Sequence, residues 1–291
     1  MKLEQLIDQF ELVTDTEEGL EQLRKVILNQ AIRGNLTKQD QNDESAEIHL
    51  ERIEAEKKRL YDEGEIRKPK DLPPVKSEEV PHEIPNNWIW ARLGEIGDWG
   101  AGATPTRSNS EYFGGDLPWL KTGELNDGFI SSSEETVTKK GLKNSSLRLC
   151  KTGDVLIAMY GATIGKLGIL EIEATTNQAC CACTPYADFN NLFLFYYLLA
   201  LRDNFRSQGA GGAQPNISKT KIEHTLLSLP PVEEQQRIVQ KIETLFAQVD
   251  ELEQKVQHDQ ELDERLQVAV LDDLQSAETP EASRQSWQRL T

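Results

Sequence analysis

At Leu229-Pro-Pro-Val-Glu-Glu-Gln-Gln-Arg the chain stops one kind of structure and starts another. The paired prolines cannot continue a strand or helix, and the acidic residues after them suit a helix's first turn. From Ile238, the apolar residues Ile242, Leu245, Val249, Leu252 and Val256 follow at alternating spacings of four and three. That is the seam of a coiled coil, and it buries little until a second helix covers it. A matching stripe of Leu20, Leu23, Val26, Ile27 and Ala31 lies near the other end of the chain. The two flanking helices are therefore expected to pack together. A continuous helix from Val232 to Leu274 would run roughly 65 Å at about 1.5 Å per residue.

The punctuation between these helices predicts the rest. Residues 1 to about 36 read as helix, with Asp15 or Thr16 as a cap and Gly34 as a stop, and Ser45 caps a second helix reaching Glu63. Lys68 to Pro85, rich in proline and charge, reads as a linker that wraps onto the following domain. Trp88, Trp90 and Leu93 suggest a strand, Asp154 to Ala158 a buried strand, and Ile164 to Leu170 its neighbour. Asn191 to Phe205 has too long an apolar run for a strand and is predicted to be the domain's main helix. The expected fold class is α+β: one mixed α/β domain flanked by N- and C-terminal long helices that pack as a coiled-coil spacer. Four regions are expected: an N-terminal helical region and linker over 1–81, the mixed domain over 82–229, the long spacer helix over 230–276, and a flexible tail over 277–291.

Composition narrows the compartment and the chemistry. The first residues lack the apolar core of a signal peptide. The longest apolar run, Leu192 to Leu201, falls well short of the roughly 20 residues that cross a bilayer. A cytoplasmic protein with no membrane partner is expected. Its four cysteines, Cys150, Cys180, Cys181 and Cys183, lack the paired spacing of a structural zinc site, so no metal is assigned. Cys181 and Cys183 read instead as small buried residues on one face of a strand.

Enzymatic motifs are missing. No Asn or Asp precedes a Pro-Pro-aromatic run of the kind that clamps a flipped adenine in a methyltransferase. Gly161-Ala-Thr-Ile-Gly-Lys-Leu has one residue too few between its glycines for a phosphate loop and lacks the hydroxyl after Lys166. Side chains suited to reading nucleic acid do occur, in three loops. Thr104, Thr106, Arg107 and Asn109 form the first; Lys121 and Thr122, continued by Lys139, Lys140 and Lys143, form the second; Gln214, Asn216 and Lys219 belong to the third, beside the small residues Gly209 to Gly212. Lys166, Asn177 and Gln178 fall near predicted strand ends. Arg and Lys suit guanine, Asn and Gln suit adenine, and hydroxyls suit phosphate.

The net charge of −17 opposes a DNA-binding role, so its distribution matters. Residues 82–229 hold 13 Lys plus Arg against 15 Asp plus Glu, a net of −2. Residues 1–81 hold 13 against 20, and residues 230–291 hold 6 against 14. The acidity thus belongs mostly to the flanks, which are suited to basic partner proteins, while a near-neutral middle can present one basic face.

Four segments occur in order before the Pro-Pro-Val-Glu-Glu-Gln block: Gly102-Ala-Thr-Pro-Thr-Arg, Tyr112-Phe-Gly-Gly-Asp-Leu-Pro-Trp-Leu-Lys-Thr-Gly-Glu-Leu, Gly153-Asp-Val-Leu-Ile-Ala-Met-Tyr-Gly-Ala-Thr-Ile-Gly-Lys-Leu-Gly and Gly212-Ala-Gln-Pro-Asn-Ile-Ser. With that block they resemble the landmarks of the DNA-specificity subunits of type I restriction-modification systems. Only one set is present, so the chain resembles a half-length form with a single target-recognition domain. The resemblance implies a non-catalytic subunit of a bacterial or archaeal cytoplasm that directs a methyltransferase and restriction complex to a bipartite site. Its partners would be double-stranded DNA, the modification subunit, the restriction subunit and a second copy of itself. S-adenosylmethionine, ATP and Mg are then expected in those other subunits, with no cofactor in this one. Self-association would run through Leu20, Leu23, Ile27, Ile238, Ile242, Leu245, Val249, Leu252 and Val256. A truncated or regulatory subunit, or a coiled-coil adaptor that binds the modification subunit without reading DNA, is the competing interpretation.

Overall fold

A computed structural model describes residues 1–10, 14–209 and 215–276. In chain order it begins with α1 (Leu3–Phe10), α2 (Glu17–Ile32), α3 (Ala46–Asp62), β1 (Ile89–Arg92), β2 (Gly97–Ala101), β3 (Phe113–Leu120), β4 (Gly128–Ile130) and β5 (Glu135–Val137). There follow α4 (Lys139–Lys143), β6 (Val155–Ala158), β7 (Leu167–Leu170), β8 (Thr175–Thr176) and β9 (Cys180–Pro185). The chain then forms α5 (Asn191–Ala200), α6 (Arg202–Gly209), α7 (Lys219–His224), β10 (Leu226–Leu229) and α8 (Val232–Ser276). Gln214 and the expected tail over 277–291 lie outside the described residues. Packing divides the chain into two units, residues 1–27 with 243 onward, and residues 28–242.

The first unit is helical. The Thr16 hydroxyl accepts a hydrogen bond from the Gly19 amide at 3.1 Å, capping α2. Leu20, Leu23 and Ile27 of α2 are buried, as are Leu245 and Val249 of α8. The Arg24 guanidinium reaches Asp250 at 2.5 Å and Glu253 at 2.7 Å, so the N-terminal and C-terminal helices pack along the predicted seam. Leu252 and Val256 are half-buried, and Leu262, Leu266, Val268 and Leu271 are exposed further along α8.

The second unit carries three sheets, ordered β1-β10, β2-β9-β6-β7-β4 and β5-β3-β8. Every residue of β6 and β7 is buried, which is why both read as unbroken apolar runs and not as alternation. All four cysteines are free and buried, and burial pushes the Cys150 and Cys181 thiols up to about 12. In place of one helix over Asn191 to Phe205, the structure has α5 and α6 meeting at Leu201. There the apolar stretch ends, and the polar Arg202 turns its side chain to the Gly165 carbonyl at 2.9 Å. Ser45 caps α3 as expected, accepting from the Ile48 amide at 3.5 Å.

The acidic start of α8 is a fastener. Glu234 is fully buried; one carboxylate oxygen accepts from the Trp88 indole at 2.8 Å, the other from the Thr37 hydroxyl at 2.8 Å and the Gln39 amide at 2.7 Å. Gln235, also fully buried, accepts from the Asn190 backbone at 3.0 Å and donates to the Pro230 carbonyl at 3.1 Å. The segment after α2, the entry to β1 and the approach to α5 are thereby tied to one helical turn.

Candidate nucleic-acid interface

Antiparallel pairing decides which loops meet. Ala101 at the end of β2 lies opposite Cys181 near the start of β9, Ala158 at the end of β6 lies opposite Cys180, and Leu167 at the start of β7 lies opposite Ile157. The loops after β2 and β6 and those before β9 and β7 therefore share one end of the five-stranded sheet. Backbone hydrogen bonds extend the row: Gly102 donates to Cys180 at 3.0 Å, Met159 to Ala179 at 2.8 Å, and Ile217 to Met159 at 2.9 Å. The Asn177 amide donates to the Leu120 carbonyl at 2.9 Å, which brings the end of β3 and Lys121 to the same place. Gly102 is required there, because a Cβ on it would collide with the Thr176 and Asn177 carbonyls.

Most of the predicted reading residues gather along this row. The Thr104 hydroxyl donates to the Gln178 side chain, and both residues are exposed. Thr106 is exposed, its carbonyl accepting from Asn109 at 3.0 Å. The Asn109 and Asn177 side-chain oxygens each hold a turn, accepting from Glu111 and Ala179 at 3.1 Å. Asn216 is exposed and bridges to the exposed Tyr160. Lys166 is half-buried just before β7, and the half-buried Thr122 opens a short turn after β3. The Lys219 ammonium donates to the Trp99 carbonyl and pairs with Glu223, both at 2.8 Å.

The second loop does not stay together. Lys121 joins Arg107 on Glu135, whereas Lys139, Lys140 and Lys143 lie on α4 beside Tyr112 and the start of β3. Glu135 faces Trp119 in the register and Val137 faces Phe113, so the strand carries the chain away from Lys121 before α4 begins. Lys140 pairs with Glu111 at 2.6 Å, while Lys139 and Lys143 are exposed and make no ion pair among the described residues.

Several residues of this region carry no local sequence signal. Arg107 lies 4.7 Å from the ring centres of both Phe113 and Trp119. Its guanidinium donates to Glu135 at 2.5 and 3.5 Å, and the Lys121 ammonium meets the same carboxylate at 2.9 Å. Hydrogen bonds from Arg107 and then Lys121 hold the Glu135 carboxyl below the usual carboxylate range. Arg202 and Arg206 line the turn before β7, Arg202 paired with Asp127 and Arg206 donating to the Ile164 carbonyl at 3.4 Å. Tyr160 alone has a local mark, an aromatic that follows β6 after Met159 and precedes Gly161.

Residues 85–262 match the family model described as the type I restriction modification DNA specificity domain. The chain belongs to that family. Among curated relatives of this specificity-domain family, the EcoEI specificity subunit of Escherichia coli is 28% identical over 279 residues, 90% of this chain and 46% of the relative. The EcoAI specificity subunit of the same species is 30% identical over 253 residues, 82% of this chain and 42% of the relative. This chain thus spans about half the length of the curated relatives it matches. In fold it is similar to the HsdS subunit from Thermoanaerobacter tengcongensis, with a TM-score of 0.51 and 23% identity over 93% of this chain and 57% of that one. A chain of a type I R-M system solved for its complex assembly and conformational transition gives a TM-score of 0.56 and 24% identity over 87% and 58%. The specificity-domain fold, with its mixed sheets and long C-terminal helix, matches the expected α+β class. No helix among the described residues is long and apolar enough to cross a membrane.

Proposed function

We propose that this chain is a half-length specificity subunit that reads one half of a bipartite DNA site and, paired with a second copy, directs a type I modification and restriction complex to it. The observation that carries this reading is the meeting of the predicted loops at one sheet end, inside the segment that matches the specificity domain. Arg107, Lys121, Thr104, Gln178, Asn177, Asn216 and Lys166 would face the duplex there, with Lys139 and Lys143 reaching the backbone to one side. S-adenosylmethionine, ATP and Mg chemistry would belong to the other subunits, in the cytoplasm where the genome lies.

The pairing of copies uses the helices. α8 has 45 residues and is long enough to space two readers by one to two turns of DNA, about 34–36 Å each. Isologous pairing of two such chains would produce a symmetric, interrupted target.

Sequencing that maps methylated bases in cells with and without this chain tests the reading. One interrupted, symmetric motif should vanish with the chain, and Leu252→Asp should remove the motif and the dimer together. A motif that persists without the chain, or under a strictly monomeric Leu252→Asp protein, overturns it. An adaptor that never touches DNA would leave the motif unchanged when Arg107 and Lys121 are both changed to Gln.

A further inference from the structure

The two best-placed cations of the sheet end are both occupied by one carboxylate. Arg107, with half its side chain exposed, and Lys121, one-third exposed, converge on Glu135. That residue is firmly placed. It lies opposite Trp119 in the β3–β5 register, its carbonyl accepts from the Ser133 hydroxyl at 2.7 Å, and the same hydroxyl accepts from the Trp119 amide at 3.3 Å. The neighbouring carboxylate of Glu124 is committed elsewhere, accepting from the Lys121 and Glu134 backbone amides at 2.8 Å each. Glu134 adds only a longer contact of 3.4 Å to Lys121. By contrast, Lys139, Lys143 and Lys166 make no ion pair among the described residues.

Glu135 is not needed to aim the arginine. Phe113 and Trp119 meet nearly edge to face, at 83°, and the guanidinium sits in the corner they form, 4.7 Å from each ring centre. Cation–π attraction of this kind fixes the group without a carboxylate. What Glu135 does is fill the donors that a phosphate or a guanine edge would otherwise take.

We propose that Glu135 is a specificity-determining mask: it competes with DNA for Arg107 and Lys121, so that those two side chains are released only to a duplex whose acceptors fit the corner beside Trp119. This rests on the DNA-reading function proposed above and adds its control. Non-specific duplex, offering phosphate charge alone, meets a pair whose charge Glu135 halves, and gains less counterion release there. A matching duplex replaces both carboxylate contacts at once.

The test uses the full chain, fluorescence anisotropy and a 30-base-pair alternating dA–dT duplex as the non-specific probe, at 50 to 200 mM salt. Glu135→Gln removes one negative charge from between Arg107 and Lys121, so one more positive charge faces phosphate, worth about 0.9 in the slope of log affinity against log salt. Its slope should be steeper than that of the parent by about 0.9, so its advantage in affinity should shrink about 3.5-fold across that fourfold range. Glu135→Asp, which keeps the charge, should behave like the parent. In an Arg107→Gln, Lys121→Gln background, Glu135→Gln should leave the slope unchanged. A slope unaltered by Glu135→Gln overturns the mask, as does an equal gain in the doubly substituted background, which would mean plain loss of negative charge. The parent reading is tested separately by methylation mapping: if the Arg107→Gln, Lys121→Gln chain still directs the parental motif, these residues do not read DNA at all.

Discussion

Glu234 offers the sharpest test of how the long helix is fastened to the rest of its unit. Its partners are all donors, and two of them have somewhere else to go: Gln39 is exposed and Thr37 half-exposed, so both can turn to water. The Trp88 indole cannot, because Trp88 is only 4% exposed and its N–H points at the carboxylate from 2.8 Å. Glu234→Ala should therefore leave one buried donor orphaned, at about 1–3 kcal/mol, and remove a charge-assisted bond of about 1.5–3 kcal/mol, partly the same energy counted twice. We expect a net loss of about 2–4 kcal/mol, a large share of a stability on the order of 5–15 kcal/mol. Trp88→Phe removes the donor while keeping most of the ring. If the indole bond is the main term, urea unfolding of the two single variants and the double variant, followed by far-UV circular dichroism, should give a coupling of about 1.5–3 kcal/mol. Additivity within about 0.5 kcal/mol would refute the reasoning and mean that Glu234 acts through packing alone.

Three further outcomes follow from burial and charge. Because burial raises all four thiols, none should react with a thiol reagent at pH 8 in the native chain, and all four should react once it is unfolded; rapid native labelling would contradict the buried placement of Cys150 and of the three cysteines on β9. His49 is 1% exposed, and burial holds its pKa below the usual 6.5 despite the opposing pull of Asp188. The unfolded chain binds the proton more readily, so this contribution to stability is full above about pH 6.5 and is lost as the pH falls toward the lowered folded value. Denaturant midpoints between pH 7.5 and 5.5 should show that loss, and His49→Gln should flatten it. Arg24→Ala should cost the helical unit about 0.5–1 kcal/mol at low salt, because the pairs with Asp250 and Glu253 are partly exposed, and the loss should shrink in high salt.

What could be read from the sequence was whatever depends on near neighbours. The heptad spacing from Ile238 to Val249 and the stripe at Leu20, Leu23 and Ile27 predict the burial observed on α8 and α2, because helix periodicity is a local property. The Thr16 and Ser45 caps and the buried β6 were legible for the same reason. The strand β3 was hidden, since Gly-Gly-Asp-Leu-Pro looks like a turn; its pairing is interrupted by an irregularity between Phe113 and Leu117, where such residues are tolerated. The break at Leu201 was missed because a change of polarity inside a helical pattern has no unique reading. Least legible of all was the state of two of the proposed reading residues. Arg107 and Lys121 are separated from Glu135 by 28 and 14 positions, and only the fold reveals that one carboxylate holds both.

The smallest sheet has a consequence for how such a module can change. β1 and β10 pair antiparallel from Ile89 opposite Leu229 to Arg92 opposite Leu226, so the chain comes in and goes out through a single doorway. The segment between those strands is held at that doorway and again at Asn190, whose backbone donates to Gln235 of α8. Loops within it can lengthen or shrink, and the threshold itself stays where it was.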